Sequence, residues 1–117
     1  MTQPYGAPGP YVRGFHTGID IGCPVGTPVY AMADGTVARM TSIGEYGNLL
    51  ILGHGDGLET YYTHLSSFAG LLHGQFVAQG QVVALSGNSG RSSGPHLHAE
   101  VRVDGEPVDP APFLVAP

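Results

Sequence analysis

The sequence predicts one mostly antiparallel β domain that carries its functional side chains near strand ends. Three observations support this. Gly (19) and Pro (10) make up about a quarter of the 117 residues, and they punctuate short runs of Val, Leu, Ile, Tyr and Thr instead of forming repeats. That spacing is the mark of many short strands joined by tight turns. No long amphipathic helix, fixed-period repeat or linker interrupts it, and 117 residues suit a single compact core.

In chain order, residues 1–13 read as an irregular lead-in with Gly6, Gly9 and three prolines, packing on a domain that occupies residues 14–117. Val29–Ala33 is a β-like run, the Asp34-Gly35 turn follows, and Thr36–Thr41 completes a hairpin signal. Asn48–Leu52 and Leu58–Thr63 flank a second turn, Gly53–Gly57, again with an Asp-Gly pair. Val77 and Gln81–Leu85 are further short runs broken by Gly80. Leu97–Val103 ends at Asp104-Gly105, and Pro107–Pro112 reads as an extended tail. The one helix-like stretch, Leu65–Leu72, carries Gly70 and is too short to hold as a helix alone.

Composition excludes several functions. Only 11% of residues are charged and the formal net charge is −5, so no basic patch exists to neutralise a phosphate backbone. Nucleic acid is therefore not an expected partner, and a neutral or cationic substrate fits better. No apolar run approaches the ~20 residues that span a bilayer. The opening MTQPYGAPGP lacks the basic and apolar regions of a secretory signal, so export by another route or a processed piece with an added Met1 is expected. The single Cys23 excludes an intramolecular disulfide.

Six histidines are the unusual feature. In Gly94-Pro95-His96-Leu97-His98-Ala99-Glu100, residues two apart on a strand project from one face, so both imidazoles look into one site while Leu97 packs on the other side. In His16-Thr17-Gly18-Ile19-Asp20, the alternation of Ile19 and Ile21 with Asp20 favours an extended segment. Two imidazoles and a carboxylate form a suitable catalytic zinc set, leaving a fourth tetrahedral position for an activated water. His16 and Asp20 are two of the candidate ligands; strand geometry does not choose between His96 and His98 for the third. His64, in Tyr61-Tyr62-Thr63-His64-Leu65-Ser66, closes a strand-like run and is a candidate for proton transfer, alongside whichever of the pair is not a ligand.

The order H-x-x-x-D, Y-x-H-L-S, G-P-H-L-H-x-E resembles that of lysostaphin-type (LytM-type) zinc endopeptidases, mostly bacterial or phage enzymes that cut peptide stems and cross-bridges of peptidoglycan. The resemblance extends to Gly26-Thr27-Pro28-Val29-Tyr30-Ala31 with Ala33-Asp34-Gly35, similar to the family's first hairpin. It includes Tyr46-Gly47-Asn48, Ser86-Gly87-Asn88-Ser89-Gly90 and Val108-Asp109-Pro110, and runs from about Gln3 to Leu114. It implies an antiparallel β-sandwich with a groove walled by loops. It further implies one Zn2+ held by His16, Asp20 and His98, with His64 and His96 as catalytic histidines that are not ligands. Tyr11 and Asn48 are the implied substrate-groove residues. The implied partner is a peptidoglycan peptide, met outside the cytoplasm by a monomer or by one domain of a larger hydrolase. Ala99 and Cys23 depart from the family's usual aromatic and small residue, and neither is a matched functional position.

Plainer roles suffice elsewhere. Cys23 reads as a small buried residue beside Pro24, His54 as a turn residue bonded locally or facing water, and His73 has no assigned role. Tyr30, Tyr61 and Tyr62 read as strand residues, and Asp34, Asp104 and Asp109 as turn formers. Glu100 shares a face with His96 and His98, where it either orients a histidine or forms a salt bridge. Two rival functions remain: a non-catalytic relative that binds cell wall or activates another hydrolase, and a histidine phosphocarrier. The first typically loses ligands, whereas all five matched positions are filled here; the second leaves the H-x-x-x-D and G-P-H-L-H-x-E segments unexplained.

Overall fold

The computed structural model describes residues 2–3, 19–88 and 94–108. Among these residues lie ten strands: β1 Thr2–Gln3, β2 Ile19–Gly22, β3 Pro28–Tyr30, β4 Gly35–Ile43, β5 Gly47–Gly53, β6 Leu58–Ser67, β7 Phe76–Val77, β8 Val82–Ser86, β9 His96–Val103 and β10 Glu106–Val108. A short 3-10 turn, Gly44–Tyr46, joins β4 to β5. No helix among the described residues is long and apolar enough to cross a membrane.

The antiparallel β class is as the sequence predicts. The strands form one connected sheet, ordered β1-β2-β9-β6-β5-β4-β7, with β10 added to β9, and with β8 joining β6 to β3. Layering comes from the curl of this sheet. On one edge of β6, residues Leu58 to Thr63 pair with β9. Beyond them, Leu65 and Ser67 pair with Ser86 and Leu85 of β8. The sheet folds over at that change of partner, so Val29 of β3 and Val83 of β8 close on Val37, Leu50, Leu52 and Tyr62 of the main sheet as the hydrophobic core. Burial of these aliphatic and aromatic side chains is the main stabilising term, at roughly 1.5–3 kcal/mol each.

The Gly53–Gly57 turn joins β5 to β6 as an antiparallel hairpin, as its Asp-Gly pair predicts, and Asp104-Gly105 does the same for β9 and β10. Two expectations need correction. Asp34-Gly35 does not close a hairpin: β3 pairs with β8, whereas β4 pairs with β5 and β7. Ala31 is drawn to the β8 side by its N–H bond to Gln81 O and by Gly80 N–H on its own carbonyl, both 2.9 Å. Asp34 accepts the Gln79 N–H at 2.7 Å, so its turn chemistry serves a crossing between strands with different partners. Leu65–Leu72 is not helical either: its first three residues complete β6, and Ala69 (φ 48°) with Gly70 (φ 71°) forms a left-handed turn that a helix cannot contain.

Candidate active site

The site is organised by the three adjacent strands β2, β9 and β6. Asp20 is the register partner of His98 across β2 and β9, and Gly22 is the partner of His96. On the other edge of β9, His98 pairs with Thr63, whose hydroxyl donates to the His98 carbonyl at 2.9 Å. The extended conformations expected around Asp20 and across His96–Glu100 are therefore present. Leu97 faces the core cluster, as expected for the residue between the histidines. With Ala99, Ile21, Cys23 and Met32 it lines an apolar cavity of about 230 Å³.

His64 sits where β6 changes partner from β9 to β8. In a regular strand it would point away from the face of Thr63. Its φ of 60° breaks that alternation, and its ring centroid lies 6.3 Å from that of His98, edge to face. Both histidines are buried. The local backbone is held from two sides. Asn48 Nδ2 donates to the Leu65 carbonyl at 2.8 Å, where the β5–β6 register shifts. On the β8 side Gly87 lies so close that a Cβ there would meet Ser66 N at 2.5 Å and His64 O at 2.8 Å.

Behind His98 stands a buried ionic chain. Glu100 is fully buried; one carboxylate oxygen accepts from His98 Nε2 at 2.8 Å. The other accepts from Arg102 Nε at 2.9 Å and Nη2 at 2.6 Å. A carboxylate gripped in this way only accepts, so Nε2 of His98 carries the proton and Nδ1 carries the lone pair. Arg102 also donates to Tyr46 OH at 3.2 Å and lies 4.2 Å from the Tyr61 ring centroid in a cation–π contact. Burial is the largest single influence on Arg102 and opposes its charge, but the charge and hydrogen bonds of Glu100, with Tyr61 and Tyr46, together outweigh it and raise the guanidinium pKa. Partial burial likewise raises the Tyr61 phenol, against the pull of Arg102.

Of the seven residues singled out from sequence, the structure brings His64 and His98 together and sets Asp20 opposite His98. His16 and Tyr11 lie outside the described residues, as do the side chains of Asp20 and His96. Among the described residues no group of three or more His, Cys, Asp or Glu side chains forms a metal cluster. Sequence reasoning passed over Arg102, Thr63 and Gly87. The signal for Arg102 was available, since it lies four residues beyond His98 and so on the same strand face. Of the remaining histidines, His54 bonds to Asp34 O at 2.7 Å and Thr60 Oγ1 at 2.8 Å, and His73 to Ala38 O at 2.7 Å.

Comparison with known proteins agrees with this frame. The sequence profile of Peptidase family M23 matches residues 14–110. The DD-carboxypeptidase/endopeptidase Mpg of Neisseria meningitidis serogroup B is 48% identical over 95 residues, covering 81% of this chain and 22% of that protein. The catalytic domain of the antimicrobial peptidase lysostaphin from Staphylococcus simulans superposes with a TM-score of 0.87 at 33% identity, covering 97% of this chain and 90% of the other. A zinc containing peptidase from Vibrio cholerae gives a TM-score of 0.84 at 34% identity, covering 98% of this chain and 36% of the other. The family match and the fold thus define a metallopeptidase domain. The chain belongs to peptidase family M23. It spans only about a fifth of the length of the curated relative from Neisseria, 22%.

Proposed function

We propose that this domain is a zinc endopeptidase that hydrolyses peptide bonds in peptidoglycan stems or cross-bridges, with one Zn2+ held by His16, Asp20 and His98. The observation that supports it most is the alignment of Asp20 with His98 in register while the His64 ring lies 6.3 Å from that of His98. The donor chemistry fits zinc: imidazole nitrogen and carboxylate oxygen are its usual ligands, and three of them leave a position open. His98, protonated at Nε2 by its bond to Glu100, would bind through Nδ1. A bound zinc ion would supply Lewis acidity toward the scissile carbonyl and the water beside it. His64 and His96 are then the proton-handling pair: one accepts the proton of the attacking water, and the other donates a hydrogen bond to the oxyanion as it develops. Tyr11 and Asn48 border the groove, and the domain works outside the cytoplasm, as a monomer or within a larger hydrolase.

The test is a zinc titration with thermal melts, combined with mass spectrometry of digested peptidoglycan. Wild type should bind about one zinc per chain, as a three-ligand site requires. His98→Ala should lose zinc and its zinc-dependent gain in stability, because a ligand bound only by the folded state stabilises it. His96→Ala should keep both while losing turnover. Metal-free protein with full activity would overturn the reading, and His96→Ala metal-free beside His98→Ala metal-replete would reverse the ligand assignment.

A further inference from the structure

We propose that Arg102 is a positioning residue for the site, acting through Glu100 to hold the proton of His98 on Nε2 and the lone pair on Nδ1. This deepens the zinc reading above and rests on it for the metal, but the contacts behind it are formed by the protein's own side chains. Glu100 is 0% exposed and both of its oxygens are engaged, one by the Arg102 fork and one by His98. A carboxylate buried this deeply carries a large desolvation cost, which its bonds to Arg102 and His98 must offset. Arg102 is itself fixed, by the Tyr46 hydroxyl at 3.2 Å and the face of Tyr61 at 4.2 Å. The chain of contacts therefore runs from two tyrosines through a guanidinium and a carboxylate to one imidazole nitrogen, and it ends on the side of the ring away from Nδ1. Carboxylates in this position set the tautomer and orientation of metal-binding histidines.

The fork makes a sharp prediction. In Glu100→Gln, the guanidinium still demands an acceptor, so it takes the amide oxygen. The amide NH2 is left facing His98 Nε2, which must now accept, and the ring proton moves to Nδ1. Removing the fork as well, in Glu100→Gln/Arg102→Met, lets the amide turn its oxygen back to His98 and returns the proton to Nε2. A merely structural ion pair predicts neither the flip nor its reversal.

The experiment is 15N NMR of the histidine rings in metal-free protein, with zinc affinity measured by competition against a chelating dye. Expected are an Nε2–H tautomer for His98 in wild type, an Nδ1–H tautomer in Glu100→Gln, and an Nε2–H tautomer again in the double variant. Zinc affinity should fall about 10–100-fold in Glu100→Gln, the usual worth of such a partner, and recover in part in the double variant. An unchanged His98 tautomer in Glu100→Gln overturns the proposal, and so does zinc affinity within twofold of wild type in a folded Glu100→Gln. If wild type binds no zinc, the proposed function fails, and the metal-free spectra still decide the role of Arg102.

Discussion

His64 combines two properties that a single side chain rarely has, a left-handed backbone and near-complete burial beside a second imidazole. A non-glycine residue at φ 60° costs on the order of 1 kcal/mol, and such strain persists only where the surroundings over-determine it. Two truncations separate the backbone from the ring. His64→Ala and His64→Gly both remove the imidazole, so both should lose roughly 10²–10⁴-fold in rate and keep zinc, if the ring is the proton carrier proposed here. Only the glycine relieves the strain, so it should be the more stable of the two by about 1 kcal/mol in urea melts. Alanine the more stable by about 0.4–1 kcal/mol, the usual advantage it takes from glycine's freer unfolded chain, would mean that φ at this position carries no cost. His64 was legible in the sequence as a candidate because a histidine closing a strand-like run is conspicuous, and the structure sets it beside His98. Its left-handed turn was not, because nothing local to Thr63-His64-Leu65 demands it; the change of strand partner imposes it from outside. Arg102 shares the strand face of His98 and could have been noticed, but an arginine near a strand end reads as solvated until its buried carboxylate partner is seen.

Among the elements, β6 decides the architecture, because it serves β9 along its first half and β8 along its last residues. The sequence announced turns well and pairings poorly. Gly53–Gly57 and Asp104-Gly105 join neighbours in the chain, where the turn dictates the pair. Asp34-Gly35 carries the same dipeptide but joins strands with different partners, because the core draws Val29 onto β8 and Val37 onto the main sheet. Leu65–Leu72 looked helical because its apolar spacing is ambiguous over so short a span. The curl at β6 requires β8 to approach closely, and Gly87 is the residue that permits this. Gly87→Ala would place a Cβ 2.5 Å from Ser66 N and 2.8 Å from His64 O, and backbone atoms cannot move aside cheaply. The expected cost is about 1–3 kcal/mol, together with lowered turnover, since the carbonyl being pushed is that of His64. Gly53→Ala is the matched control: its Cβ would meet only Ala38 Cβ at an ordinary 3.9 Å, and its effect should stay within about 0.5 kcal/mol. Denaturant melts of the two variants, with zinc content measured in parallel, check the contrast; equal costs would remove Gly87 from the account of the curl.

At the scale of the whole molecule, a polar thread runs through the core on the side away from the candidate site. His54 bonds to the Asp34 carbonyl and to Thr60 Oγ1. Thr60 Oγ1 is hydrogen-bonded to Tyr62 OH at 2.9 Å, and Tyr62 OH accepts the Met32 N–H at 3.0 Å. The β5–β6 turn, the centre of β6 and the loop after β3 are thus joined by two buried hydroxyls, those of Thr60 and Tyr62. Burial pushes the Tyr62 phenol up to about 12 from its usual 10.0, with its hydrogen bonds to Thr60 and Met32 pulling the other way. A phenol whose pKa is raised by folding is neutral in both states below pH 10, so its contribution is fully present there. Between pH 10 and about 12 the unfolded chain loses the proton while the folded chain keeps it, and stability falls. At 1.36 kcal/mol per pKa unit, the loss across that window is on the order of 3 kcal/mol. Tyr61, raised in the same direction, adds to the slope. Tyr62→Phe should cost about 1–3 kcal/mol at neutral pH by leaving the buried Met32 N–H without its acceptor. It should also lack the alkaline slope that Tyr62 contributes, so the gap between variant and wild type should narrow as pH rises from 10 toward 12. Urea melts of both proteins at intervals from pH 9 to the alkaline limit of reversibility measure this, and a gap that stays constant with pH would show that Tyr62 ionises as easily in the folded protein as in the unfolded chain.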